Sequence, residues 1–276
     1  RATLKDRFQG EGTASMAISP DGRWLYYYSY PWLRQDKYPF GTFWVTIVDT
    51  SSGKPLPTTV PLPQCNTARL AVAPDSATLY VTCLGTNDVR IVNLHTYQVE
   101  QQLKIPGTPD SAEMVGAANE GIAGSILSSD GSRLYVVTVQ SQLHVIETNR
   151  RVIAQTVDLS QQQRSLVVKE MVALSSDGKR LFVGMQPNGG SSTEFRLFDT
   201  QTWKEVDRRS AKADMRRASL ATSAGGYSIY SIQEPTFPQP ADTIVNLGIT
   251  SNQPTSPSAP LLVRKGEDIA RVFIGP

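Results

Sequence analysis

The chain has 276 residues, ample for one large domain or a set of repeats, with 39% hydrophobic and 19% charged residues. A formal net charge of +2, with basic residues never running beyond adjacent pairs, excludes an electrostatic nucleic-acid binder, and no apolar run approaches the length of a membrane span. Two histidines and two cysteines leave little material for a metal centre or a nucleophilic triad.

In chain order, ATLKDRF (2–8) reads as the fourth strand of a preceding repeat. MAIS (16–19) is a short alternating strand that ends in a turn at Ser19-Pro20-Asp21-Gly22, where Pro presets φ, Asp bonds its own backbone and Gly accepts positive φ. The aromatic run WLYYY (24–28) follows as a second strand, and WVTIVD (44–49) as a third. A polar turn, TSSGK, leads to a fourth strand.

The phrase then recurs as APDSATLYV from Ala73, SSDGSRLYV from Ser128, SSDGKRLFV from Ser175 and, decayed, SAGGYSIYS from Ser223. The turn position falls at Asp21, Asp75, Asp130, Asp177 and Gly225. Four residues later stands Leu25-Tyr26, Leu79-Tyr80, Leu134-Tyr135, Leu181-Phe182 or Ile229-Tyr230. A third marker closes the third strand: Val48-Asp49, Val92-Asn93, Ile146-Glu147, Phe198-Asp199 and Val245-Asn246. Markers repeated in one order at this period mean stacked supersecondary units. Four short strands cannot bury both faces of their own sheet, and stacking them as blades solves this. The predicted fold is all-β: a β-propeller of four-stranded antiparallel blades with five recognisable repeats and partial end strands, forming a single domain over 1–276.

At the far end, IARVFIGP (269–276) aligns with TARLAVAP (67–74) as the first strand of a sixth repeat, which brings the expected count to twenty-two strands. A closed propeller needs a multiple of four. The end strands therefore belong to one sixth blade, or mark the chain as an incomplete part of a longer propeller, or cover a five-bladed ring.

Cys65 precedes the first strand of repeat two and Cys83 ends its second, so the hairpin brings both to one edge of the sheet, a few residues out of register. They form either a disulfide, which would place the protein in an oxidising compartment, or two buried free thiols. His95 falls in a turn and His144 inside a third strand, with no ligand spacing between them, and both are expected to be structural or surface residues. C-x-x-C-H is absent, which counts against covalent c-type haem. PNGGSS (187–192) lacks phosphate-loop spacing and reads as a loop. The basic stretch DRRSAKADMRR (207–217) reads as a solvated connection between blades, and SNQPTSPSAP (251–260) as a flexible loop of the last repeat. No metal, cofactor or catalytic set is expected.

Insertions are the more informative departures. From the aromatic marker to the third marker takes 23 residues in repeat one, then 13, 12, 17 and 16. The extra length lies between second and third strands, in SYPWLRQDKYPFGTF (29–43), QPNGGSSTE (186–194) and QEPTFPQPA (233–241). In a propeller these loops open on one face, together with connections between repeats such as 107–121. The first loop carries Tyr30, Trp32, Tyr38, Phe40 and Phe43 interleaved with Arg34, Asp36 and Lys37. Aromatics and Arg anchor interfaces, and long loops on rigid scaffolds are where binding concentrates. Tyr30, Trp32, Arg34, Asp36, Lys37, Tyr38 and Phe40 are thus the candidate partner-binding residues, for a protein partner or a surface polymer. In the alternative, Trp32 and Phe40 fold back and cap the blade.

SPDGRWLYYYS and APDSATLYVTC…NDVRIVNLHTYQV resemble the YVTN-type β-propeller repeat of secreted and surface proteins of prokaryotes, over nearly the whole chain. The resemblance implies a propeller outside the cytoplasm and leaves function open. The first repeat, with its long second loop, also resembles the first blade of the heavy subunit of methylamine-type dehydrogenases. Those subunits are periplasmic propellers whose modified-tryptophan cofactor sits on a separate light subunit, and no catalytic residue carries over. The leading expectation is a non-enzymatic extracytoplasmic scaffold. The alternative is an accessory, heavy-type subunit of a periplasmic dehydrogenase, and a lactonase-like or haem-binding propeller is the least supported.

Overall fold

The structure, a computed structural model, describes residues 12–30, 43–108, 121–160, 165–187, 193–211, 218–222, 229–233, 243–246 and 261–262. Twenty strands among them form five four-stranded antiparallel meanders, the blades of a β-propeller fold. The first sheet is β1 (Gly12–Ile18), β2 (Trp24–Tyr30), β3 (Trp44–Asp49) and β4 (Lys54–Pro61). The second is β5 (Ala68–Val72), β6 (Thr78–Cys83), β7 (Asp88–Asn93) and β8 (Gln98–Lys104). The third is β9 (Ile122–Leu127), β10 (Arg133–Thr138), β11 (Gln142–Glu147) and β12 (Val152–Asp158). The fourth is β13 (Ser165–Leu174), β14 (Arg180–Pro187), β15 (Thr193–Asp199) and β16 (Glu205–Ala211). The fifth is β17 (Ala218–Thr222), β18 (Ile229–Gln233), β19 (Thr243–Asn246) and β20 (Leu261–Leu262). The expected end strands at 2–8 and 269–276 lie outside the described residues.

The chain divides into two compact units, Arg1–Ile122 and Ala123–Pro276. In the first, Tyr26, Tyr28, Val45 and Ile47 of the first sheet pack on Leu79, Val81 and Val92 of the second. In the second, Tyr135, Val137, Leu143 and Val145 pack on Leu181, Val183, Met185 and Phe198. Each core is therefore the space between two neighbouring blades, filled by alternate residues of the second and third strands.

The turn motif explains one end of each blade. Ser19, Ser128 and Ser175 each donate a side-chain hydrogen bond to Asp21, Asp130 or Asp177 and accept one from the backbone N–H that opens the next strand. The Asp in turn accepts the N–H of Arg23, Ser132 or Lys179. The neighbouring turn is tied to the first: Thr50, Thr148 and Thr200 donate to the carbonyls of Gly22, Gly131 and Gly178 at 2.7, 2.6 and 2.8 Å. These aspartates are turn formers engaged by their own backbone, as their repetition implies.

Two expectations change. In the basic stretch, residues 207–211 are strand: they belong to β16, and only 212–217 fall outside the described residues. A fourth strand is the outermost of its blade, so it carries polar residues and hides its period. Arg208 there is engaged in ion pairs, Nε to Glu205 Oε1 at 2.6 Å and Nη1 to Glu194 at 3.6 Å. In the fourth repeat, Gln186 and Pro187 lie in β14 and Thr193 and Glu194 in β15. Longer strands absorb four of that insertion's nine residues and leave 188–192 between them.

Candidate functional site

Residues 31–43 separate β2 from β3, against 84–87, 139–141 and 188–192 in the next three blades. Tyr30 is the last residue of β2 and pairs with Gly12. Trp32, Arg34, Asp36, Lys37, Tyr38 and Phe40 lie outside the described residues. Phe43, the last aromatic of the insertion, is turned inward: its ring stacks on Tyr28 at 5.9 Å, with the planes 13° apart.

Both stems of the insertion are fastened to one short connection, residues 62–67, that runs from β4 to β5. The N–H of Leu62 donates to the carbonyl of Phe43 at 2.7 Å, on the β3 side. On the β2 side, the fully buried Tyr28 hydroxyl donates to the carbonyl of Cys65. Cys65 is joined to Cys83, at the end of β6, by a disulfide with Cα atoms 5.2 Å apart. Ala68, three residues on, is the one that pairs directly with Cys83, which accounts for the offset in register.

A buried polar clasp adds a further tie. Arg90 Nη2 donates to the carbonyl of Pro63 at 2.8 Å while its Nε meets Asp88 Oδ1 at 3.2 Å. Gln102, opposite Arg90 on β8, donates to the other Asp88 oxygen at 2.7 Å. Asp88 and Arg90 are 0% and 5% exposed, so the pair is desolvated, and only its complete set of partners makes that tolerable. The fourth blade repeats the device: Arg196, 1% exposed, bonds Glu194 through Nε and Nη2 at 3.2 and 3.0 Å.

The sequence held a signal for this clasp that its three markers do not use. Three residues before each Asp/Asn/Glu marker stand Thr46, Arg90, His144, Arg196 and Thr243, one polar residue inside an apolar strand in every repeat. The first four are all buried. Thr46 accepts from Trp44 Nε1 at 3.1 Å, and His144 Nδ1 lies 3.0 Å from Thr156 Oγ1. His144 Nε2 has no hydrogen-bond partner, and burial holds the ring below the ordinary histidine range, so it is neutral at pH 7. His95 is exposed in the β7–β8 turn.

Chemically, this end of the first unit offers a covalently and ionically closed connection to which both stems of the insertion are fastened. Among the described residues, no group of three His, Cys, Asp or Glu side chains is placed to hold a metal, and no helix is long and apolar enough to cross a membrane.

No protein-family model and no curated protein matches the chain. Solved structures do. The hydrazine synthase of Kuenenia stuttgartiensis aligns with a TM-score of 0.62 at 21% identity, over 86% of this chain and 63% of that one. The Swd1 (Cps50) β-propeller domain of Myceliophteria thermophila aligns with a TM-score of 0.59 at 17% identity, over 92% of this chain and 74% of that one. The chain thus spans less than two thirds of the hydrazine synthase chain it matches. At these identities the likeness shows the fold, a β-propeller, and the fold serves many functions.

Proposed function

We propose that the chain is a non-enzymatic, extracytoplasmic β-propeller scaffold that binds a protein partner or a surface polymer through the insertion between β2 and β3. The observation that carries this reading is the insertion itself: it is the longest such loop of the first four repeats, its sequence is rich in aromatic and cationic residues, and both its stems are fastened to the connection between β4 and β5. Trp32, Arg34 and Tyr38 are the anchors, Tyr30, Phe40, Asp36 and Lys37 their surround. The disulfide and the resemblance to YVTN-type repeats support a location outside the cytoplasm.

The second reading, an accessory heavy-type subunit of a periplasmic dehydrogenase complex, is favoured by the likeness of the first repeat, long insertion included, to that family. The test is native mass spectrometry of the protein isolated from its own source, with Trp32→Ala/Tyr38→Ala alongside. On the scaffold reading a partner is retained, and the double variant weakens its retention roughly tenfold or more with an unchanged melting temperature, as loss of interface anchors does. Loss of folding in that variant overturns the reading. A co-purifying small subunit with a visible-absorbing cofactor replaces it with the second one.

A further inference from the structure

We propose that β12 is a docking edge for a second copy of this chain: two β12 strands pair antiparallel, the start of one against the end of the other, and join two molecules through a continued sheet. The fourth strand of a blade has a neighbour on one side only, and among the described residues β12 pairs only with β11. Its other side presents backbone N–H and C=O groups, the template that a further strand uses. The other three such strands of the first four blades are blunted. β4 carries Pro55, Pro57 and Pro61, each without an N–H to donate. β8 carries Glu100 and Lys104, and β16 carries Glu205, Asp207, Arg208 and Arg209. β12 reads VIAQTVD, with no Gly, no Pro and no charge before Asp158, and with Val152, Ile153, Thr156 and Val157 β-branched.

The strand is held extended from both faces. Gln155 accepts from Trp203 Nε1 at 3.2 Å on one, and Thr156 Oγ1 lies 3.0 Å from His144 Nδ1 on the other, so little freedom is lost on pairing. Val152, Ala154, Gln155, Thr156 and Asp158 are exposed. An extra residue at Ala154 bends the strand, since Gln155 pairs with Val145 and Ile153 with Ile146. β8 and β16 carry the same irregularity at Glu100 and Val206, so it does not set β12 apart. Charge selects the occupant. The strand starts beside Arg150 and Arg151 and ends at Asp158. Glu147 pairs with Arg150 at 3.1 Å, and the start still keeps a net positive charge. An antiparallel copy sets the basic start of each strand against the acidic end of the other. The two ends of the contact are then complementary and identical, as twofold symmetry requires.

The experiment is sedimentation velocity on the whole chain over a roughly hundredfold range of concentration, since mass action sets the fraction paired. Hydrogen exchange by mass spectrometry accompanies it at both ends of that range. The expected result is a monomer–dimer equilibrium that stops at two copies. Exchange over 152–158 slows at high concentration, and exchange over 98–104, on β8, does not change. Ala154→Lys puts like charges into the paired strands and Asp158→Lys makes both ends basic, so each should weaken the dimer roughly tenfold or more. Arg151→Asp/Asp158→Lys exchanges the ends and should restore it. Trp32→Ala/Tyr38→Ala should leave it unchanged, which keeps this outcome apart from the binding reading of the β2–β3 insertion. A chain that stays monomeric throughout gives the edge to a foreign strand and overturns the proposal. Growth beyond two copies, a dimer with 152–158 unprotected, or one indifferent to Ala154→Lys and Asp158→Lys overturns it as well. The concentration dependence of exchange is read on the unaltered protein, so a variant that fails to fold leaves the decision with that measurement.

Discussion

At the scale of single residues, His144 carries the clearest consequence. It is 1% exposed in β11, its Nδ1 faces Thr156, and burial depresses its proton affinity below the ordinary value of 6.5. The unfolded chain then binds a proton near pH 6.5 that the folded chain refuses until lower pH. Stability is full above about 6.5 and falls as pH drops from there toward the folded value, with a slope of at most about 1.4 kcal/mol per pH unit for one proton. Urea melts between pH 7.5 and 5 should show this loss, and His144→Gln should flatten it. An unchanged pH dependence in the variant would assign the slope to other groups. The same buried position explains why a lone strand histidine reads as structural: its neighbours in the other repeats are Thr46, Arg90 and Arg196, all engaged inside a sheet.

At the scale of the element, the β3–β4 type of turn shows what sequence reading reaches and what it misses. The Asp or Asn that starts it was legible as the third marker, and it accepts two backbone N–H groups in three blades, at Asp49, Asn93 and Asp199. The residue that closes it was not legible. That position has positive φ in all four well-described blades, yet it is occupied by Gly53, Tyr97, Arg151 and Trp203. Glycine is the residue the conformation favours, so an aromatic there signals a reason elsewhere. The reason is packing on the preceding blade of the same unit: Tyr97 on the cluster around Tyr26, and Trp203 edge-on to Tyr135 at 5.7 Å with Nε1 donating to Gln155 at 3.2 Å. Periodicity along a strand cannot report a contact made by a turn. Trp203→Ala should cost about 2 kcal/mol, losing ring burial while keeping the strained φ. Trp203→Gly should cost about 1 kcal/mol less, because glycine relieves the left-handed conformation. Equal losses in chemical denaturation would remove backbone strain from this account.

At the scale of the molecule, the repeat was legible because turn chemistry and strand pattern recur together, and five four-stranded sheets follow from them. The site was legible only by its length and residue types, since the clasp, the disulfide geometry and the inward Phe43 depend on which connection the stems meet in space. One whole-chain property follows from the repeated turns. Asp21, Asp130 and Asp177 are held below the ordinary carboxylate value of 3.8, first by the Ser19, Ser128 and Ser175 hydroxyls, and Asp130 reaches about 2. Asp49 is lowered by Ser51, and Asp199 by the Thr202 N–H, to about 2. Five carboxylates across three blades thus bind protons more readily unfolded than folded. Their contribution is fully present above pH 3.8 and is lost as pH falls through the folded values toward 2, so acid unfolding should gather in that interval. Near-UV circular dichroism against pH measures it. Ser128→Ala removes the first cause at Asp130 and a strand-opening acceptor for Arg133, so it should cost about 1–2 kcal/mol at neutral pH. The same change should reduce the stability still to be lost in acid, because Asp130 then ionises closer to its unfolded value. An unaltered acid limb in Ser128→Ala would mean that the turn carboxylates do not set the acid stability, and that the loss must be sought in the buried Asp88–Arg90 and Glu194–Arg196 pairs instead.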